Sequence, residues 1–245
     1  MIKNNVFSQN RISFIYLTIF LILVNLIGIS TGDLPLSRLL RLCSVSCFLI
    51  LYYLAPGPRN RWITFAISVL FLRDIFFQFY ELWWGYKLYL GLGSVAYLLL
   101  IADSLPRLRR LKFNPGVISI TLLLILINTY TLYTLMGMLS HTFNDPLEVI
   151  LFYLYGALLI VMAVTAVINN NRYNSDRSLN YLFLVLAFIF SDIAALFAYY
   201  FGFENLYYAD RIFFIMAAGF LANYGLNERN ARQEFFEYEM IDKKL

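Results

Sequence analysis

One histidine, two cysteines, six prolines and a charged fraction of only 14% set this chain of 245 residues apart from a soluble enzyme. A soluble domain carries about 25% charged residues, so there is too little polar surface here to coat a fold in water. The single histidine, His141, falls in a loop, and a zinc hydrolase built on a histidine cluster is excluded on residue supply. Cys43 and Cys47 stand four apart in one apolar run and read as small packing residues, not as a disulfide or a metal site. The "GLGS" at Gly91 to Ser94 is too short and too apolar in context for a phosphate loop; close helix packing explains it. Nothing in the residues asks for a metal or another cofactor.

What the chain has in quantity is apolar side chain: 61% of residues are hydrophobic and the mean hydropathy is +0.68. That balance predicts an all-α, polytopic integral membrane protein with no large soluble domain. Eight apolar segments, 12–30, 37–55, 62–80, 88–105, 116–138, 147–168, 180–201 and 207–226, are each long enough to cross a core of roughly 30 Å at ~1.5 Å per residue. Turn and interface signals separate them: "STGDLP", "APGPRNR", "WWGYK", "LPRLRRLKFNP", "SHTFNDP", "NNNRYNSDR" and "GFEN". The first segment exceeds the usual ~7–15 residues of a signal-peptide apolar region, so it is expected to remain as a helix. Residues 1–226 then form the membrane domain and 227–245 a charged cytoplasmic tail.

Basic residues concentrate on one side of this layout. Lys3, Arg11, Arg59, Arg61, Arg107, Arg109, Arg110, Lys112, Arg172, Arg177 and the tail's Arg229, Arg232, Lys243 and Lys244 share it. The opposite side holds Arg38, Arg41, Lys87 and Arg211. The positive-inside rule places both termini in the cytoplasm, in the inner membrane if the cell is bacterial. Net charge +4 is then a matter of topology and needs no nucleic acid.

An internal repeat runs through the apolar segments. "TIFLILVN" (Thr18 to Asn25) resembles "TLLLILIN" (Thr121 to Asn128), and "LFLRDIFF" around Asp74 resembles "FIFSDIAA" around Asp192. Two parallel four-helix halves, about 12–105 and 116–226, are expected, with the third and seventh helices meeting at the centre. Asn25, Asp74, Asn128 and Asp192 each lie about 12–13 residues into an odd-numbered helix, roughly 18–20 Å deep. They are expected to form one polar layer. Gln78 and Glu81 follow Asp74 at helical spacing on one face, and Tyr199 follows Asp192.

Ionisable residues inside a membrane point to function by default. The plainer alternative is structural: Arg73 pairing with Asp192, and the asparagines acting as interhelical glue. A small transporter using the same polar layer as a relay, or a non-enzymatic membrane protein, are rival classes.

The "RD" of the third segment and "FSDIAALFAYY" of the seventh, within a two-fold eight-helix plan, resemble the YhhN/TMEM86 family of lysoplasmalogenase-like integral membrane proteins. That family has a Gly-Asp-like motif in its first half, of which Asp74 matches the acid while Arg73 stands in the glycine's place, and a Ser-Asp motif in its second, which Ser191 and Asp192 match. The resemblance implies an ether hydrolase without a cofactor, acting among membrane lipids on a lysophospholipid with a vinyl ether. The products are a fatty aldehyde and a glycerophospho-headgroup. Asp74 and Asp192 are then the expected catalytic pair, one acid and one carboxylate, with Arg73 able to hold one of them ionised. Asn25, Gln78, Glu81, Asn128, Ser191 and Tyr199 complete the expected substrate site.

Single cysteines at Asn170 and Asn205 test the orientation. The first is expected to be labelled only from the cytoplasm and the second only from outside; the reverse pattern would invert the topology.

Overall fold

In a computed structural model of the chain, residues 3–55, 59–108, 115–139, 143 and 145–226 are described, with side chains from Phe14 onward except those of 115 and 117. The tail 227–245, His141 and the basic residues Arg109, Arg110 and Lys112 lie outside the described residues.

Eight helices and no strand occur among the described residues: α1 Lys3–Thr31, α2 Leu34–Leu54, α3 Arg61–Phe77, α4 Gly85–Leu108, α5 Pro115–Leu139, α6 Pro146–Tyr173, α7 Asp176–Phe201 and α8 Asn205–Leu226. Local chemistry sets their ends. Asn60 caps α3 by accepting from the Trp62 N–H at 2.9 Å, and Asp145 caps α6 by accepting from Leu147. Pro35 and Pro146 stand in the first turns of α2 and α6, where a missing N–H leaves no partner unserved. Ser175 and Ser178 form a reciprocal capping box at the start of α7. That helix stops at Gly202, whose φ of 70° is the left-handed conformation glycine adopts without a steric penalty.

Six helices (α1, α2, α4, α5, α6 and α7) are long and apolar enough to cross a membrane, as expected of a multi-pass membrane protein. The other two are the exceptions to the eight expected spans. α3 has 17 residues, because the chain leaves the helix at Gln78 and runs through turns to Trp84. α8 is long enough, but it carries Asp210 and Arg211 in its second turn and is less apolar. Both are screened by neighbours. α8 packs along α7 and also meets α1, α2 and α3, while α3 packs along α4 and α2.

α4 also packs along α6, and α6 along α7, whereas α5 packs appreciably against α6 alone. α3 and α7 do not form a packed pair, contrary to the expectation that they meet at the centre; α4, α6 and α8 supply the contacts around them. Close approach is made possible at Gly93 on α4. A β-carbon there would lie 2.5 Å from the Tyr155 ring and 3.4 Å from Arg73 Cδ. Gly93→Ala is therefore expected to cost about 1–3 kcal/mol, read as a lowered thermal midpoint of the detergent-solubilised protein.

Candidate functional site

Where α2, α3 and α8 meet, guanidinium and carboxylate groups alternate in a chain sealed from solvent. Arg41, Arg73, Asp74, Asp210 and Arg211 are each 0–1% exposed. On Asp74, Oδ1 accepts from Arg41 Nη2 at 3.2 Å and from Arg73 Nη2 at 3.5 Å. Arg41 Nη1 lies 3.5 Å from Asp210 Oδ2, which also takes a hydrogen bond from Arg211 Nη1 at 2.5 Å. Arg211 in turn donates to Ser37 Oγ, and Ser191 Oγ donates to Asp210 Oδ1 at 2.7 Å.

Aromatic faces complete the solvation of the cations. The Arg41 guanidinium carbon is 3.5 Å from the Phe214 ring centroid and 4.5 Å from that of Phe77. Arg73 lies over Tyr89 at 4.9 Å. Such contacts strengthen when water is excluded.

The network reaches a cavity through two phenols. Arg73 Nη1 donates to the Tyr155 hydroxyl at 3.4 Å. Tyr155 and Tyr97 both donate to Asp192 Oδ2, at 2.8 and 2.7 Å, and their hydroxyls lie 2.9 Å apart. Ser191 and Asp192, neighbours on α7, thus engage opposite ends of one connected network.

Asp192 lines a cavity of about 120 Å³ with Tyr80, Tyr86, Tyr89, Tyr155, Tyr199 and Tyr200. Apolar side chains of α3 to α7, Phe77, Leu90, Leu132, Leu159 and Leu196 among them, form the remaining wall. Because α5 packs on α6 and makes no substantial contact with α7, the cavity lies between two helices that do not close on each other.

The expected site residues separate into groups. Asp74 is not among the residues lining the cavity; it sits behind, between Arg41 and Arg73, and reaches Asp192 only through Arg73 and Tyr155. Asn25 is buried and donates to Ser44 on α2 at 2.8 Å, a bond that joins two helices. Asn25 and Asn128 each donate to the carbonyl four residues back in their own helix, Leu21 and Leu124, and only Asn25 adds the bond to a second helix. Gln78 and Glu81 do not share a face of α3, because the helix ends at Phe77: Gln78 is its C-cap and Glu81 lies in the following turn. There both Glu81 oxygens accept from the Arg38 guanidinium. Tyr199 lines the cavity and stacks edge-on against Tyr207.

Glu81 is outside the helices, and its carboxyl is held below the ordinary carboxylate range by the Arg38 hydrogen bond, against partial desolvation. A depressed folded-state pKa contributes stability above the unfolded value that is lost as pH falls through the folded one. With this side chain 66% exposed, that contribution is small.

Three of the cations assigned above to the outer side, Arg38, Arg41 and Arg211, are therefore not loop charges; they are 1–3% exposed inside α2 and α8. Arg41, Asp210, Arg211, Tyr97 and Tyr155 were not foreseen as site residues. The available signal was Arg38 and Arg41 three apart in the second apolar segment, and the Asp210–Arg211 pair inside the eighth. Helix starts three and two residues earlier than the segment bounds 37 and 207 carry both pairs deeper. Among 19 tyrosines, nothing in the sequence distinguishes Tyr97 and Tyr155.

No group of three or more His, Cys, Asp or Glu side chains suited to a metal occurs among the described residues. No protein-family model, curated protein or solved structure matches this chain.

Removing one member of a buried ion pair strands the other, at about 3–5 kcal/mol. Asp74→Asn is expected to destabilise by that amount, whereas Asp192→Asn, whose side chain borders a cavity, should retain a folded, monodisperse protein. Size-exclusion profiles and thermal midpoints of the two variants check the order.

Proposed function

We propose that this chain is a lysoplasmalogenase-like membrane hydrolase, related to the family its motifs resemble, with Asp192 as the residue that moves the proton. The observation that carries the reading is a single carboxyl on the wall of an otherwise phenolic and apolar cavity. Its volume is near the roughly 150 Å³ that admits a benzene, enough for the vinyl-ether end of one lipid chain. The remainder of that chain runs between α5 and α7 into the bilayer.

Protonated Asp192 donates its proton to the vinyl carbon remote from the ether oxygen, and the carbon bonded to oxygen becomes an oxocarbenium ion. Tyr97 and Tyr155 hold Oδ2, which leaves Oδ1 for the transfer. Water adds to the cation and returns a proton to the Asp192 carboxylate, which regenerates the acid by the time the hemiacetal forms. The hemiacetal then breaks its bond to the glycerol oxygen, its hydroxyl proton passing to that oxygen. Aldehyde and glycerophospho-headgroup leave. Asp74 is a positioning residue in this scheme: it balances Arg41 and Arg73, and Arg73 fixes Tyr155. Water and the chain's own side chains suffice for these steps.

The same reading takes all eight helices as membrane-embedded, in two parallel halves with both termini cytoplasmic. Helix adjacency supports the halves: α1–α2, α2–α3 and α3–α4 correspond to α5–α6, α6–α7 and α7–α8, and α4–α6 corresponds to α8–α2. The packing of α1 on α8 has no counterpart between α5 and α4, and the cavity lies on that open side, against α5.

Purified protein incubated with a lysoplasmalogen is expected to release fatty aldehyde. Asp192→Asn should reduce the rate by about 10²–10⁴ with the fold intact. Substrate uptake into vesicles without aldehyde would establish a transporter instead, and neither activity would leave a structural membrane protein.

A further inference from the structure

The cavity has a second polar feature that the hydrolysis scheme does not use. Arg38 is 3% exposed, and its guanidinium carbon lies 5.0 Å from the Phe77 ring centroid, 6.0 Å from Tyr80 and 5.6 Å from Tyr199. All three rings line the cavity. The guanidinium is thus layered against the outside of the cavity's aromatic wall, toward the turn that carries Trp83 and Trp84.

Its fork is occupied by Glu81, whose side chain is 66% exposed. Glu81 is held on one side only, by a turn and not by a helix. Arg38 Nε is shielded and makes no hydrogen bond, and the Tyr199 hydroxyl lies beside the guanidinium and interacts with it. A buried guanidinium with a spare N–H, capped by one solvent-facing carboxylate, is arranged for an incoming oxyanion.

Membrane position adds the second half of the ligand. Trp83 is 75% exposed, and Trp84 packs edge-on against Phe76, which suits the headgroup level of a bilayer. Only an anion attached to a chain gains from the apolar cavity as well as from the guanidinium.

We propose that Arg38 is the docking point for the phosphate of a single-chain anionic lipid, and that Glu81 is an internal stand-in which the phosphate displaces. This rests on the lipid reading of the cavity, but not on hydrolysis. Arginine binds phosphate through the same two-pronged geometry it uses for a carboxylate. The exchange substitutes one charge-assisted pair for another, so guanidinium desolvation is not incurred twice. Glu81 then leaves for water, where its exposed side chain already reaches.

The test is binding of hexadecyl phosphate, a saturated chain with no vinyl ether, to the whole protein in neutral detergent, followed by tryptophan fluorescence. Hexadecanol, palmitate and inorganic phosphate serve as comparators. The alkyl phosphate is expected to bind about tenfold or more tighter than the alcohol, the range of a charge-assisted bond. Glu81→Gln, an exposed change that weakens the competitor, should tighten alkyl phosphate alone by several-fold. Arg38→Gln should erase the preference, and Arg38→Lys should retain part of it.

Equal binding of phosphate and alcohol by both the parent and Glu81→Gln would overturn the proposal. So would unchanged preference in Arg38→Gln, or palmitate binding as tightly as the alkyl phosphate. Inorganic phosphate shifting the fluorescence at the same concentration as the alkyl phosphate would mean a free-anion site and would also overturn it. Binding without aldehyde release defeats the hydrolase reading alone; aldehyde release without headgroup preference defeats this inference alone.

Discussion

Arg41 is the side chain on which the rest of the structure depends. It stands on α2 and faces Asp74 of α3 with one amine and Asp210 of α8 with the other, so a single guanidinium joins three helices. An unpaired charge at this depth would cost several kcal/mol even after relaxation, and lipid offers no water to relieve it. The alternatives open to the sequence are to pair every one of these groups or not to fold. Three guanidiniums, of Arg41, Arg73 and Arg211, share the carboxylates of Asp74 and Asp210, and Arg73 also donates to the Tyr155 hydroxyl. Aromatic rings of Phe77, Tyr89 and Phe214 fill the faces that carboxylates do not reach.

That arrangement explains how a carboxylate is held among apolar residues on α7. Asp192 faces two phenols, of which Tyr155 is itself held by Arg73 and Tyr97 by Tyr155. Rigidity passes from the sealed network to the cavity wall, while the cavity's opposite wall is α5, the helix with the fewest neighbours. A carboxyl held by two phenols, opposite a helix with few neighbours, suits the proposed entry of a ligand sideways from a bilayer. The proton chemistry and the phosphate-docking role proposed for Arg38 would occupy the two ends of that one space.

The two pairs of similar strings show how far like sequences diverge once packed. Asn25 and Asn128 occupy like places in like strings, yet one joins α1 to α2 and the other bonds only its own backbone. The reason is neighbourhood: α1 packs on both α2 and α8, whereas α5 packs on α6 alone. Asp74 and Asp192 diverge in the same way, the first enclosed by two guanidiniums and the second bordering open space. Like positions in like strings do not give equal surroundings.

By itself the sequence determined the helical class, the number of helices among the described residues and most of their limits to within about three residues, the start of α1, the end of α6 and the start of α7 excepted, because apolar run length and capping residues are local and act within a few positions. It also marked Asp74, Asp192 and Arg73 as residues needing partners, since charge inside an apolar run is improbable without them. Which partners they take was decided only by tertiary structure. Arg41 meets Asp210 across most of the chain, and Tyr97 meets Asp192 from another helix, through packing angles that no local pattern encodes. The same holds for Glu81, which leaves the expected helical face because α3 ends at Phe77 and the turn swings its carboxylate to Arg38. Charge identity is written residue by residue, but charge pairing depends on which helices come within about 4 Å of one another, and only the folded bundle sets that distance.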